Sequence, residues 1–494
     1  MRYALPTFLL LLGGSCLGWS AAPVRADDRS MSLQQVITFA QARSGSAVQA
    51  RNRFRASYWQ FRTQRAAFLP TLSLSATAPD LTRNLSRIPL PDGSEAFIRQ
   101  SFVSSSARLA IGKTIGTTGG EVFMETALER LQLLDGGRTT SYLSRPVTIG
   151  LRQPLFGFNT YAWQDRIEPL RFEEARREYA EELEGIAISA AQNFFDLMSA
   201  QDQLAGARNN VRSTDTLYSI TSRRYAAGQT TEYELLQTHL AQLNARLELQ
   251  RAELDVRART YSLRSYLGLR DTADVRPEIT FDVPDVTADV PTAVAQARAN
   301  RADGVGFERR TLEAKREVAE ARASSGRAVS LFATFGLSQS TSELGSVYHR
   351  GQENDQATLG FEVPILDWGR ARARTSLAES NRDVALQSVD QARQDMDQDV
   401  TMKALQFNVQ RERIRIAATA DEIAARGYAS AQERYLAGHA DAQAVNLAQV
   451  DKDAARRSHV DALRGYWIAY YELRRATLYD FGSREPIPIN DPAE

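Results

Sequence analysis

Apolar residues follow one period and then another along this chain, and the switch happens twice. Leu33 to Ala67 is helical in composition and free of proline until Pro70. Thr71-Leu72-Ser73-Leu74-Ser75-Ala76-Thr77-Ala78 then alternates apolar side chains with hydroxyls, which predicts a strand with one apolar and one polar face. A return run sets Val147, Ile149 and Leu151 against Thr148, Gly150 and Arg152. Beyond Pro154 the period lengthens: Leu170 to Ala227 lacks proline and is rich in Leu, Ala, Arg, Gln and Glu, which predicts helix. The second half repeats the order. Ala293 to about Arg327 is helical in composition, then Leu331, Ala333, Phe335 and Leu337 alternate with Phe332, Thr334, Gly336 and Ser338. Leu359, Phe361 and Val363 alternate with Thr358, Gly360 and Glu362, and Arg370 to Ala437 is again a proline-free helical stretch. Stretches this long extend roughly 90 to 100 Å as helix and must pack side by side as coiled coil. Pro169 near the start of the first stretch, where the second has Glu379, means that the first long helix either begins there or is kinked there.

The two halves share punctuation as well as period. Arg224-Tyr225-Ala226-Ala227-Gly228 recurs as Arg434-Tyr435-Leu436-Ala437-Gly438. Gln153-Pro154-Leu155-Phe156-Gly157 corresponds to Val363-Pro364-Ile365-Leu366-Asp367-Trp368-Gly369. The separation from proline to tip glycine is 74 residues in both copies (228 − 154 and 438 − 364), so the architecture is duplicated. Gly228 and Gly438 are predicted to close their helices in the left-handed conformation, with Thr231 and Asp441 as N-caps of the helices that follow. Thr231-Glu232-Tyr233-Glu234 reads as a capping box with Glu234 reaching back to the cap, whereas Ala444 leaves Asp441 without that partner. These last helices run to about Leu267 and Leu478. In each half the first and last helices together match the long one, which predicts a slab two helices wide with strands at one end and hairpin tips at the other.

The divisions expected are an export signal over 1–26, a first repeat over 27–270, a linker over 271–292, a second repeat over 293–481 and a flexible tail over 482–494. Arg2, the apolar run Ala4 to Leu12 and the small residues around Ala26 carry the signal, which is too short to span a bilayer as an anchor. Cys16, the only cysteine, lies inside it, in a poor lipidation box. Pro277, Pro284 and Pro291 mark an extended linker on the slab's flank, and Pro486, Pro488 and Pro492 a loose tail.

Charge narrows the function. The 60 basic and 60 acidic residues balance, so a nucleic-acid surface is not expected. No thiol chemistry is open to the mature chain. His239, His349, His439 and His459 lack metal-ligand spacing, no nucleophile elbow or phosphate loop stands out, and so neither catalysis nor a cofactor is expected. Tyr466, Trp467, Tyr470, Tyr471, Phe194 and Phe195 read as interhelix packing. Arg152 and Arg370 flank strand–helix junctions, near either the lumen or lipid headgroups. The strands suit a membrane barrel, but four to six strands cannot close an ample barrel without further chains. The alternative is a small soluble sheet capping a coiled coil.

These paired motifs resemble the TolC family of outer membrane efflux and secretion ducts over essentially the whole mature chain. The resemblance rests on Leu69-Pro70-Thr71-Leu72-Ser73-Leu74, on Val363 to Arg370 with Gln153 to Gly157, and on the tips Arg224 to Glu234 and Arg434 to Ala444. It implies a mainly α fold with a membrane β-barrel, a homotrimer with a shared twelve-stranded barrel in outer membrane lipid, and a helical tunnel through the periplasm. It also implies that the tips, with Arg224, Tyr225, Gly228, Thr231, Glu234, Arg434, Tyr435, Gly438 and Asp441, dock a periplasmic adaptor and an inner membrane pump and pinch the resting channel. Pro154, Gly157, Pro364, Asp367 and Gly369 would form the strand–helix junctions. Three departures stand out. Two further alternating runs, Val103 to Ile115 and Glu121 to Glu129, lie around Thr117-Thr118-Gly119-Gly120, as either an extra barrel hairpin or an added loop structure outside or inside it. Val329 stands near the counterpart of Pro70, and Ala444 stands where a tip carboxylate would be. A periplasmic adaptor, the other protein class built on long helical hairpins, would instead show one hairpin splitting two β-rich halves.

Overall fold

The computed structural model describes residues 29–89, 93–134, 139–269, 275–278, 283–324, 326, 328–349, 351–363, 365–437, 439–440 and 442–489. The expected export signal with Cys16, and also Pro364, Gly438 and Asp441, lie outside the described residues.

The first half opens with β1 (Arg29–Met31), α1 (Leu33–Arg43) and α2 (Gly45–Ala66). Four strands follow: β2 (Thr71–Pro89), β3 (Glu95–Ile115), β4 (Gly120–Leu133) and β5 (Thr139–Pro154). Then come α3 (Thr160–Ala226) and α4 (Glu232–Leu267). β6 (Val275–Pro277) pairs in parallel with β1. The second half has α5 (Val290–Asn300), α6 (Ala302–Ser324), β7 (Ala328–Thr341), the short β8 (Gln352–Glu353) and β9 (Gln356–Glu362). It ends with α7 (Arg370–Leu436), α8 (Ala442–Thr477) and a small pair, β10 (Tyr479–Asp480) with β11 (Glu485–Pro486).

Both long helices have 67 residues and both return helices 36. At 1.5 Å per residue the long ones reach ~100 Å. α3 starts at Thr160, ahead of Pro169, which therefore sits inside the helix rather than at its start. Each upper helix is broken once. Ser44 interrupts the first stretch and caps α2 by accepting the Ala47 amide, and Arg301 interrupts the second with extended backbone between α5 and α6. The first break falls at Ser44-Gly45, a dipeptide that marks turns, whereas the second carries neither proline nor glycine at the break itself.

Packing runs sideways in a fixed order. In the upper half α2 meets α3, α3 meets α6 and α6 meets α7; in the lower half α4 meets α3, α3 meets α8 and α8 meets α7. The main core lies where these meet α1 and α5, around Ile37, Phe194, Leu197, Leu263, Phe407, Leu463, Tyr466 and Tyr471. The aromatic cluster of the last helix is thus core, with the Tyr466 hydroxyl donating to the Pro284 carbonyl at 2.9 Å. The linker is strapped to this waist: the Asn408 carboxamide accepts from the Ala288 amide and donates to the Ala288 carbonyl, both at 2.8 Å. The tail is held as far as Ile487. β11 pairs with β10 and the Ile487 amide donates to the Leu478 carbonyl, because the turn after Phe481 brings the chain back against α8.

The strands form one antiparallel sheet in the order β2-β3-β4-β5-β7-β9, with β8 beside β7. The first half therefore supplies four strands and not a pair. The offset between copies is 257 residues at α1 and α5 (290 − 33) but 210 at α3 and α7 (370 − 160), so the first half carries 47 extra residues (257 − 210) between helix and helix. No helix among the described residues is long and apolar enough to cross a membrane.

Candidate functional site

The sheet sorts its side chains by face. Leu72, Ile111, Met124, Ile149 and Phe335 stand directly opposite one another across five strands, and all are exposed. One residue along, Gly112, Phe123, Gly150 and Thr334 form the corresponding row on the other face. That second face is polar. Arg152 pairs with Glu121 at 2.9 Å and lies over the Phe332 ring at 5.7 Å, and Arg108 faces Glu125 at 3.8 Å. Phe123 fits there because Gly150 has no side chain: a Cβ on Gly150 would lie 2.2 Å from the ring. An apolar band on one face and paired charges on the other is the division between lipid and water in a membrane barrel. Arg152 thus sits on the polar face.

The strand–helix junctions are built differently in the two halves. In the first, Pro154 ends β5, and Gly157 lies close against it (a Cβ there would be 3.2 Å from Pro154). Asn159 then caps α3 by accepting the Ala162 amide, and its amide group donates to the carbonyls of Gly116 and Thr117 at 2.9 and 3.0 Å. In the second half Asp367 accepts from the Gly369 amide at 3.0 Å and the Ala371 amide at 2.8 Å. Those two amides, Ala371 first, hold the Asp367 carboxyl below its ordinary range. Gly369 enters α7 at φ +82, a conformation that a residue with a Cβ resists. Leu155, Phe156, Ile365, Leu366 and Trp368 are all exposed at this level. Apolar and aromatic side chains gathered just past the strand ends are the mark of a membrane–water interface.

At the far end the tips bring part of the repeated motif together. The Arg224 guanidinium lies 5.4 Å over the ring of Tyr435, and the Tyr435 hydroxyl pairs with the Thr221 hydroxyl at 2.9 Å. Tyr435 is 1% exposed, yet its counterpart Tyr225 is 42% exposed, so the two copies sit in different surroundings. Arg434 is exposed. Both hairpins close by the same bond: the Gln229 amide donates to the Arg224 carbonyl at 2.8 Å and the His439 amide to the Arg434 carbonyl at 2.9 Å. Gly228 has φ +70 with open space around it. Thr231 caps α4 by accepting the Glu234 amide at 3.3 Å. The Glu234 carboxylate does not reach back to the cap amide as expected; it accepts the Thr230 hydroxyl, a nearer donor. Sequence reasoning missed Thr221, Asn159 and the bonds that the Asp215 carboxylate accepts from Gln242 and Arg246. Thr221 and Tyr435 are 214 residues apart, and no local pattern links them.

Both flanks of each layer are left open among the described residues. β2 and β9 end the sheet, and α4 and α7 end the lower helical row. On α4, Tyr233, Leu240, Leu247, Leu254 and Tyr261 recur every seventh residue and are exposed. On α7, Met402, Val409, Ile416 and Ile423 do the same. An apolar seven-residue repeat is a coiled-coil seam, here with no partner among the described residues.

Residues 36–269 and 293–477 match the family described as outer membrane efflux protein. The chain belongs to the outer membrane efflux protein family. It is 25% identical over 237 residues to the probable outer membrane lipoprotein SilC of Salmonella typhimurium, covering 48% of this chain and 50% of that protein. It is 27% identical over 248 residues to the alkaline protease secretion protein AprF of Pseudomonas aeruginosa, covering 48% and 49%. The chain spans about half the length of the curated relatives it matches. The Campylobacter jejuni CmeC outer membrane channel shares the fold, with a TM-score of 0.65 at 16% identity over 98% of this chain and 95% of that one. This family of ducts resides in the outer membrane, and the α/β tunnel fold with its duplicated helices is the one found here.

Proposed function

We propose that the chain is the outer membrane duct of a tripartite efflux or type I secretion system. It passes small molecules or proteins that an inner membrane pump and a periplasmic adaptor deliver, and does no chemistry on them. The observation that carries this reading is the pair of open flanks. A sheet edge in lipid leaves backbone groups unsatisfied, and the unpaired seams on α4 and α7 need a partner of the same length. A homotrimer supplies both, with β2 beside a neighbour's β9 and α4 beside a neighbour's α7. The tips then sit farthest from the membrane, where Arg224, Tyr225, Gly228, Thr231, Glu234, Arg434, Tyr435, Gly438 and Asp441 would meet the adaptor's helical hairpins. AprF is named for secretion of alkaline protease, which favours keeping proteins among the cargo.

Membrane fractionation with heat-modifiable gel mobility tests the duct, and a soluble periplasmic monomer would rule it out. The tips are tested by Gly228→Asp combined with Gly438→Asp. Export should cease while trimers remain in the outer membrane, and unchanged export would remove the tips from the docking role.

A further inference from the structure

We propose that three chains close a barrel of eighteen strands and not twelve, so that the membrane pore is wider than the family resemblance implies. This rests on the homotrimeric duct reading. Each chain offers six long or medium strands in one continuous sheet, and the surplus is the hairpin β3–β4.

The hairpin occupies the middle of the wall. β3 pairs with β2 on one side and β4 with β5 on the other, and the β3–β4 register runs unbroken from Phe102↔Leu133 to Ile115↔Gly120. That is well beyond the ~9–11 residues a membrane strand needs. Its faces match those of its neighbours. Leu109, Ile111, Val122 and Met124 are exposed on the apolar side, and Arg108, Glu121, Phe123 and Glu125 lie on the polar side. A hairpin lying inside an aqueous lumen would waste the first set in water. A hairpin lying outside the wall would put the second set in hydrocarbon, where Arg108 alone would cost ~2–4 kcal/mol at mid-depth and each Glu somewhat less. Only a place in the wall satisfies both faces.

The turn at 116–119 ends at the level of the strand–helix junctions and is fastened there. Besides the two bonds from Asn159, the Gln153 amide donates to the Thr118 carbonyl at 3.0 Å and the Thr118 hydroxyl donates to the Gln153 side-chain oxygen at 2.8 Å. Phe68, from the chain entering β2, lies beside Gly116 (a Cβ there would be 3.3 Å from the ring). The hairpin is thus built in from the base upward. Barrel diameter grows about linearly with strand number, so eighteen strands give a ring roughly half as wide again as twelve. Size discrimination then falls to the helical tunnel and its tips, because the membrane segment is the wider part.

Electron cryomicroscopy of the full-length trimer in nanodiscs counts the strands directly. Eighteen are expected; a twelve-stranded wall with the hairpin in the lumen or on the outside would overturn the proposal and leave the duct reading standing. A soluble monomer would overturn both. A second measurement uses spin labels at I149C on the lipid face, with and without residues 93–134, whose removal joins β2 to β5 in the same up-and-down order. Distances between labels across the trimer should shrink by about one third in the deletion, and an unchanged distance would count against the wide barrel.

Discussion

The two halves have long and return helices of equal length and unequal strands. Long helices of 67 residues and return helices of 36 recur without change, while the first half puts four strands into the sheet and the second two principal ones. The reason is geometric. Each residue added to a helix moves everything beyond it by 1.5 Å, so a change in one copy would put its tip out of level with the other. A hairpin returns the chain to the level it left, so strands can be added in pairs without disturbing the helices. Helix length is therefore tightly constrained, and strand number is not.

The largest test of the difference between the halves is at the tips. Tyr435→Ala should cost ~3–5 kcal/mol, as for other fully buried aromatic side chains, while Tyr225→Ala should stay within about 0.5 kcal/mol, as for exposed positions. Thermal unfolding of the purified protein reads both, and equal losses would erase the distinction between the copies. Next comes the wall. Met124→Arg in the added hairpin and Phe335→Arg in the second half should each lose ~2–4 kcal/mol if both face lipid at mid-depth, seen as a reduced fraction of heat-modifiable trimer. A harmless Met124→Arg beside a damaging Phe335→Arg would take the hairpin out of the membrane. The smallest effect is at the junctions. Asn159→Ala should cost ~1–2 kcal/mol for the lost cap, and Asp367→Asn less. The Asp367 effect should also depend on pH. Its carboxyl is held low by the Ala371 and Gly369 amides, so its contribution is present above the unfolded carboxyl value of about 4 and disappears as pH falls through the lower folded value. Melting temperatures of wild type and Asp367→Asn should differ at pH 7 and converge in acid, whereas Asn159→Ala should show the same deficit at both.

Much of this architecture was legible because it rests on local rules. The first tip closure follows from glycine's left-handed preference, which Gly228 adopts at φ +70. The strands follow from strict alternation at Leu72 and Leu74 or Ile149 and Leu151. The break at Arg301 was not legible, since an extended arginine inside an otherwise helical composition carries no strong local signal; the break at Ser44 carried one in Ser44-Gly45, set aside for the helical composition around it. Nor was the capping box fully legible: Thr231 caps as expected, but Thr230 competes for the Glu234 carboxylate.

By itself the sequence determined the duplication, the long and return helices of each half and the two-faced strands, because periodicity and spacing are properties of neighbours along the chain. The tertiary structure decided three other things. It placed the 103–129 runs in the middle of the sheet, buried Tyr435 under Arg224 while leaving Tyr225 exposed, and used Asn159 to join a helix cap to a strand turn. Each depends on which distant segments lie side by side, and that is settled only when backbone hydrogen bonds and apolar faces are satisfied together across the whole chain.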